Sequence, residues 1–279
     1  MSQSEEQAPE KGNKVPVHFS FPRFNLVLAG QAAIVLGLFA RTRPDLWRDQ
    51  WSRPSLVIVS FFACHFYCAM FEGFFHRYVL HRVVFGCLAS FKHKHTEHHR
   101  LTPAIIPKVE PPEDNCYPIL RGVQTKHATF PPFAYLAFQV IFLPVWLLAQ
   151  WMFPSWPFLI GGMIAVTFSY GGYENLHAAQ HLSFGRYWER WFGYRLIGWW
   201  LKVIYRVHLG HHANNLVNET VFGFCSFAVW DWLARTLALV PLPNPGVRLK
   251  VAAPKPRWPI NVLDDLTRPR PALQGRERH

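Results

Sequence analysis

Long apolar stretches without charge alternate along this chain with short, strongly basic ones. The longest stretch, residues 128–173, runs for 46 positions without an Asp, Glu, Lys or Arg. One crossing of a bilayer takes about 20 apolar residues, so this stretch is long enough for two crossings and a turn. The pattern therefore predicts a helical hairpin over residues 130–153 and 157–173.

Two earlier apolar stretches are further candidates for crossing a membrane. Residues 24–40 are uncharged but short, and residues 56–75 are longer but interrupted by His65 and Glu72. Because an isolated apolar stretch in lipid must satisfy its own backbone, each stretch is predicted to be helical. The loop between them carries four arginines, so either the first stretch is re-entrant or the positive-inside signal is weak here.

The polar segments complete a predicted all-α, multi-pass membrane helix bundle with a helical cap in the cytosol. Residues 76–126 are basic, rich in histidine and studded with proline, so they are expected in water and not as one continuous helix. Residues 186–205 mix tryptophans with arginines, which is typical of a helix in the head-group region. Residues 221–240 are predicted to form a helix packed on the cap.

This pattern divides the chain into three parts. Residues 1–23 are predicted to be a polar tail, residues 24–240 the membrane domain, and residues 241–279 an extended, basic, proline-rich tail.

The net charge of +12 changes little in this picture. Clustered Lys and Arg attract phosphate in general, but in a membrane protein the expected partner is an anionic lipid surface and not a nucleic acid. The endoplasmic reticulum and the bacterial inner membrane are both compatible locations. Five cysteines are an odd number, and Cys64 and Cys68 lie in an apolar stretch, so they are expected to pack within a helix.

Histidine is the unusual residue of this sequence. Eleven of the fifteen histidines fall within residues 76–99 and 177–212. At about 100° per residue, the spacing of His95, His98 and His99 places three imidazoles on one helical face. Ten of the eleven form four spaced clusters: His76 and His81; His95, His98 and His99; His177 and His181; His208, His211 and His212.

These clusters predict a site for two metal ions. Ten imidazoles are too many for one ion, and five neutral ring nitrogens for each of two ions suit iron, copper or zinc. A solvated histidine-rich loop, or a lone histidine packed in a core, would not repeat the same three-histidine spacing twice. His76 and His81 are about 140° apart on a regular helix, so they need a helix end or a distortion to converge.

At these residues the chain resembles the fatty acid hydroxylase and sterol desaturase superfamily of integral-membrane di-iron enzymes. The resemblance covers about residues 56–236, and Trp230-Asp231 with Thr236 is similar to the closing segment of that family. The His177 and His181 pair favours this group over the acyl desaturases. The motifs that carry it are His76-Arg-Tyr-Val-Leu-His81, His95-Thr-Glu-His98-His99, His177-Ala-Ala-Gln-His181 and His208-Leu-Gly-His211-His212.

The resemblance implies a dimetal site of two Fe²⁺ ions, with O₂ as co-substrate and a lipid that enters from the bilayer. Iron also fits the chemistry, because breaking an unactivated C–H bond needs an oxidant that side chains alone do not provide. The sequence has no His-Pro-Gly-Gly haem-binding segment, so electrons are expected from a ferredoxin or a cytochrome b5 with its reductase. Glu174 and Glu72 share helical faces with histidines, so they are expected either to orient the ligand rings or to form ordinary salt bridges at helix ends.

The expected activity is therefore hydroxylation of a fatty-acyl, sphingoid, sterol or aminolipid C–H bond. Desaturation by the same centre is an alternative that the sequence does not distinguish. A zinc-binding transporter is a third interpretation, because ionisable residues within membrane helices can mark an ion pathway. A transporter would hold its ligands near the middle of the membrane, whereas these histidines follow the ends of the apolar stretches.

Overall fold

The structure is a computed structural model that describes residues 19–82, 84, 86–109, 114–131 and 133–267. Positions 1–18 of the predicted N-terminal tail and positions 268–279 of the predicted C-terminal tail lie outside the described residues. Over the described residues the chain is helical, without a β-strand. The α-helices are α1 (Phe21–Thr42), α2 (Pro44–Trp51), α3 (Pro54–Phe75), α4 (Ala89–Leu101), α5 (Gly122–Thr125), α6 (Ala134–Met152), α7 (Phe158–Gln180), α8 (Glu189–Phe192), α9 (Gly198–Ala213), α10 (Val229–Ala234) and α11 (Ile260–Thr267).

Within the described part of the chain, three helices are long and apolar enough to cross a membrane. They are α1, α6, and α3 together with the turn that continues it to Leu80. Large apolar side chains such as Leu26 and Val140 are exposed on their outer faces. The prediction of an all-α fold that contains helices of membrane-spanning length is therefore confirmed over the described residues.

The helix α7 differs from the second crossing that the sequence predicts. It packs against α1, α3 and α6, and twelve of its 23 residues are buried, but it is not among the candidate spans. A Cβ atom at Gly161 would lie 2.8 Å from Ser60 Cβ, and one at Gly162 would lie 2.6 Å from the Trp146 ring. Small residues thus let α7 approach its neighbours closely, and a helix covered by protein needs less hydrophobicity than one covered by lipid.

A distorted turn follows α3 and brings two histidines together. Residues His76–Leu80 form a π-helical turn, and the His81 backbone N–H donates to the His76 carbonyl at 3.2 Å. The five-residue spacing of a π-turn places the two imidazoles one above the other, with centroids 5.1 Å apart. The distortion that the sequence requires at this point is therefore present.

Two predicted helices are wrong. The stretch 186–205 breaks into α8 and α9, with non-helical residues at 193 and 194 and a turn before Gly198. The stretch 221–240 is helical only in α10, because Gly223, Cys225, Ser226 and Arg235 adopt positive φ. Apolar composition alone did not reveal that this segment folds back as a loop against α3.

The chain after residue 240 is also more ordered than an extended tail. The Leu249 N–H donates to the Ala104 carbonyl at 3.1 Å, and α11 follows at Ile260–Thr267. Asp264 of α11 is paired with Arg77 at 2.5 Å. The prediction of an extended tail is therefore wrong for α11, which packs beside the histidine-bearing turn.

Candidate metal centre

All ten predicted histidines come together, and they form two groups of five. Each histidine offers one ring nitrogen, and within a group these nitrogens all lie within 4.8 Å of one another. The first group is His76, His81, His95, His99 and His211, and the second group is His98, His177, His181, His208 and His212.

Two helices contribute to both groups. Helix α4 gives His95 and His99 to the first group and His98 to the second. Helix α9 gives His211 to the first group and the pair His208 and His212 to the second. Residues four apart therefore share a group, and the third histidine of each helix joins the other group. The two groups adjoin, since the His99 and His212 rings stack at 4.2 Å.

The ring nitrogens of the first group are spaced as metal ligands are. His95 Nε2 lies 2.8 Å from His76 Nε2 and 3.2 Å from His81 Nε2. It also lies 3.0 Å from His99 Nε2. One ring nitrogen carries either one proton or one lone pair, so it cannot form three such hydrogen bonds at once. A shared metal ion at the centre of the group would satisfy all of these nitrogens.

The same spacing recurs in the second group. His98 Nε2 lies 3.1 Å from His177 Nε2, and His181 Nε2 lies 3.2 Å from His208 Nε2. For metal–nitrogen bonds of about 2.1 Å, ligands at right angles lie about 3.0 Å apart and tetrahedral ligands about 3.4 Å apart. The shortest nitrogen–nitrogen distances in both groups are therefore those expected of imidazoles that share one ion.

Backbone carbonyls hold several rings from behind. The Nδ1 atoms of His181 and His211 donate to the carbonyls of Tyr117 and Val217 at 2.7 and 2.8 Å. His212 Nδ1 donates in the same way to Thr102 at 2.7 Å. His76 and His177 use the carbonyls of Glu219 and Ala128. These bonds place the proton on Nδ1 and leave Nε2 free for a metal.

Glu72 and Glu174 do not take the predicted position behind the rings. Glu72 accepts the backbone N–H groups of Val221, Phe222 and Gly223 at 2.6 to 2.9 Å. Glu174 accepts the Phe130 N–H at 3.0 Å. Neither carboxylate is hydrogen-bonded to a histidine among the residues that the structure describes. The loops that approach these two carboxylates supply backbone N–H donors in place of the histidine rings.

A buried charge network beside the first group was not predicted. Arg77 is 1% exposed and pairs with Glu219 at 2.6 Å and with Asp264 at 2.5 Å. The Glu219 backbone N–H donates to Asp231 at 2.7 Å, while the Glu219 carbonyl accepts from His76. The only signal in the sequence was a charged residue directly after His76, because its partners lie about 140 and 190 positions further on.

Burial keeps the metal-free imidazoles neutral. It lowers the pKa of His211 from 6.5 to about 4, with the Arg77 charge adding to the effect. Burial, and then the charge of neighbouring imidazoles, also lowers the pKa well below 6.5 for His81, His95, His98, His99, His208 and His212. Neutral imidazole is the form that binds a metal.

Three other histidines of the described residues lie outside both groups. His65 Nδ1 lies 2.8 Å from Ser169 Oγ, and its Nε2 accepts the Cys225 N–H at 3.0 Å, so it fixes the loop that follows residue 221. His93 and His127 belong to neither group. Asn214 ends α9, whereas Asn215 Nδ2 lies 3.4 Å from His81 Nδ1.

Two cavities reach the histidines. The membrane-side cavity lies between α3, α6 and α7, has an apolar lining that includes Phe71 and Phe142, and ends at His76. The cap-side cavity touches His95 of the first group and His177 of the second. Both cavities are bounded by Leu80, Phe130 and Tyr173. An apolar molecule in this region would therefore lie against residues of both groups.

Comparison with known protein families, with curated proteins and with solved structures finds no match for this chain.

Proposed function

We propose that this protein is a membrane di-iron oxygenase that hydroxylates a lipid C–H bond with O₂ and external electrons. The observation that carries the proposal is the pair of buried five-histidine groups at the end of an apolar cavity. The cavity passes between helices that are apolar enough to cross a membrane, which supports a lipid as the substrate.

The donor set fits iron. Five imidazoles in each group would leave at most one further position on a six-coordinate ion. The first group would hold one iron and the second group the other. When bound, two irons with O₂ supply the oxidising power that an unactivated C–H bond requires.

The side chains of the chain position and isolate the reacting bond. Phe71 and Phe142 offer an apolar wall to the lipid chain in the membrane-side cavity. Leu80, Phe130 and Tyr173 narrow the junction of the two cavities and would fix which carbon faces the histidines. Exclusion of water from such a site limits side reactions of the oxidant.

The decisive experiment is lipid mass spectrometry under ¹⁸O₂. The iron-loaded protein is supplied with a lipid extract of its host, a ferredoxin or cytochrome b5 system and the matching reductase. We expect a lipid that gains one ¹⁸O atom, and sustained turnover only with the reductant. The variant carrying both His98→Ala and His211→Ala is the matched control and should form no product.

The other outcomes identify the alternatives. Loss of two hydrogens without label would replace hydroxylation by desaturation. Zinc binding with no lipid product under any condition would contradict the oxygenase and favour the transporter. Continuous turnover without a reductant would contradict the need for an external electron donor.

A further inference from the structure

Aromatic side chains surround the two histidine groups differently. The Tyr117 ring contacts three histidines of the second group, with centroids 4.6 Å from His181, 5.1 Å from His212 and 6.0 Å from His208. Among the described residues, no Tyr or Trp ring contacts a histidine of the first group.

A continuous row of Tyr and Trp rings leads from Tyr117 to the surface. Tyr117 lies 5.6 Å from Tyr205, and Tyr205 lies 4.8 Å from Trp188. Trp188 lies 5.1 Å from Trp191, which in turn lies 5.8 Å from Tyr187. The first three rings are buried and the last two are partly exposed. We call these five residues the Tyr/Trp row.

Two hydroxyl groups in the row have no packing explanation. The buried hydroxyls of Tyr117 and Tyr205 have no hydrogen-bond partner among the described residues. Burying an unpaired hydroxyl costs about 1–3 kcal/mol, and phenylalanine would fill the same space without that cost. Tyrosine at both positions therefore indicates a need for the phenol, which is far easier to oxidise than a phenyl ring.

The other tyrosine beside the second group does not offer such a route. Tyr173 stacks on His177 at 5.7 Å, but its described ring contact on the far side is Phe130. Phenylalanine is not readily oxidised, so electron transfer by successive oxidation stops there. Within the described chain, the Tyr/Trp row is the route of oxidisable rings that connects the second group with the surface.

We propose that the Tyr/Trp row delivers an electron to the dimetal centre when O₂ has oxidised it and no lipid is present. The inference rests on the proposed function, because the oxidant is the O₂-oxidised metal centre. In the net step the centre gains one electron, and Tyr187 loses one electron and releases its phenolic proton to water. The oxidising equivalent thereby moves away from the metal centre and its ligand histidines, and it ends as a tyrosyl radical on Tyr187 at the surface.

The chemistry fixes the direction of transfer. An oxidant strong enough to break an alkyl C–H bond can also oxidise Tyr and Trp. In their resting state these side chains are fully reduced and do not accept an electron from a ferredoxin. The row therefore protects the centre from its own oxidant and is not the entry route for the electrons of catalysis.

The test uses the full-length, iron-loaded protein without any lipid substrate. Metal content is measured first; the reduced protein is then mixed with O₂, frozen for electron paramagnetic resonance, and digested for peptide mass spectrometry. We expect a tyrosyl signal in the wild-type protein, with oxidation products on Tyr187 and Trp191 and the ligand histidines intact.

The informative variants are Tyr205→Phe and Tyr117→Phe, which remove only unpaired hydroxyls and should fold. In each we expect the products on Tyr187 and Trp191 to fall to the level of protein mixed under nitrogen. Oxidation should appear instead on His181, His208 or His212, followed by loss of iron. Tyr194→Phe is the matched control, since Tyr194 is 54% exposed and outside the row, and it should behave as wild type.

Two failures are distinguishable. If the protein binds two irons and consumes O₂, but the products on Tyr187 and Trp191 are the same in Tyr205→Phe as in wild type, this inference alone is overturned. If the protein binds no iron, or iron-loaded protein does not consume O₂, the proposed function fails and this inference fails with it.

Discussion

The first and second histidine groups have five imidazoles each but different surroundings. The first group adjoins the buried Arg77 network and has two partly exposed members, His81 and His99. The second group has one partly exposed member, His212, and contacts the rings of Tyr117 and Tyr173. An identical ligand set can therefore be embedded in one polar and one aromatic environment, and the environment decides how each group responds to mutation.

The largest expected effect is loss of a metal from one group at a time. His211→Ala removes a ligand from the first group, and His98→Ala removes one from the second. We expect each variant to retain about one of two bound irons, because binding at each group depends on its own five nitrogens. Anaerobic elemental analysis measures this. His93→Ala is the control, because His93 lies outside both groups. Full metal content in the variant that carries both His98→Ala and His211→Ala would contradict the ligand assignment.

The next effect concerns the loop behind the first group. Glu72→Ala leaves three partly buried backbone N–H groups without their acceptor, at up to about 1–3 kcal/mol each. We expect a large fall in thermal stability and a loss of iron from the first group before the second, because the same loop carries the Glu219 carbonyl that holds His76.

Glu97→Ala is the matched control for Glu72→Ala. It removes an exposed carboxylate whose pair with Arg100 is worth about 0–1 kcal/mol. Equal stability of the two variants in a thermal melt would refute the role assigned to Glu72.

A third effect follows from the buried charges. Arg77→Met leaves Glu219 and Asp264 without their cation, and breaking such a buried pair costs about 3–5 kcal/mol. Because the network adjoins the first group, weakened iron binding should be confined to that group. Titration with iron in the Arg77→Met and His98→Ala double variant isolates the first site. Unchanged affinity there would separate the network from the metal.

The smallest effect per residue is the dependence of stability on pH. Burial lowers the pKa of His211 to about 4 in the folded, metal-free protein, against 6.5 when unfolded. Below pH 6.5 the unfolded chain binds more protons, so stability falls as pH drops from 6.5 towards 4, by up to about 1.4 kcal/mol per pH unit for each histidine.

The two groups can be compared through this dependence. His98 is buried as well, and its pKa is also lowered. His98→Gln and His211→Gln should therefore each reduce the slope of stability against pH, measured by thermal melts of metal-free protein between pH 7.5 and 5.5. A slope that neither variant alters would contradict neutral, buried imidazoles in both groups.

Much of this site could be predicted from the intervals between histidines along the chain, because these intervals decide which side chains share one face of a helix. The intervals of three and four residues within α4 and α9 placed His95, His98 and His99 on one face and predicted ten converging imidazoles. The five-residue interval from His76 to His81 required a distortion, which is the π-helical turn. The apolar stretches predicted the helices that now form the candidate spans.

Contacts between distant segments could not be read in this way. Glu72 and Glu174 bind backbone N–H groups of loops, and the residues behind the imidazoles are carbonyls, which every sequence contains. The sequence predicts a helix after residue 221, but the structure has a loop there. Backbone N–H groups of this loop donate to Glu72 and His65, which are far away along the chain. The amino-acid composition shows that a segment is apolar. It does not show which distant side chain accepts the hydrogen bonds that the backbone of that segment would otherwise make within a helix.

The sequence by itself determined which ten histidines converge and that apolar helices carry them. Only the tertiary structure decided that α4 and α9 each divide their three histidines between the two groups. The spacing along a single helix does not assign His98 to a different group from His95 and His99. That assignment depends on the helices α7 and α9 and on the π-helical turn, because the packing of these elements brings His177 to His98 and His76 to His95.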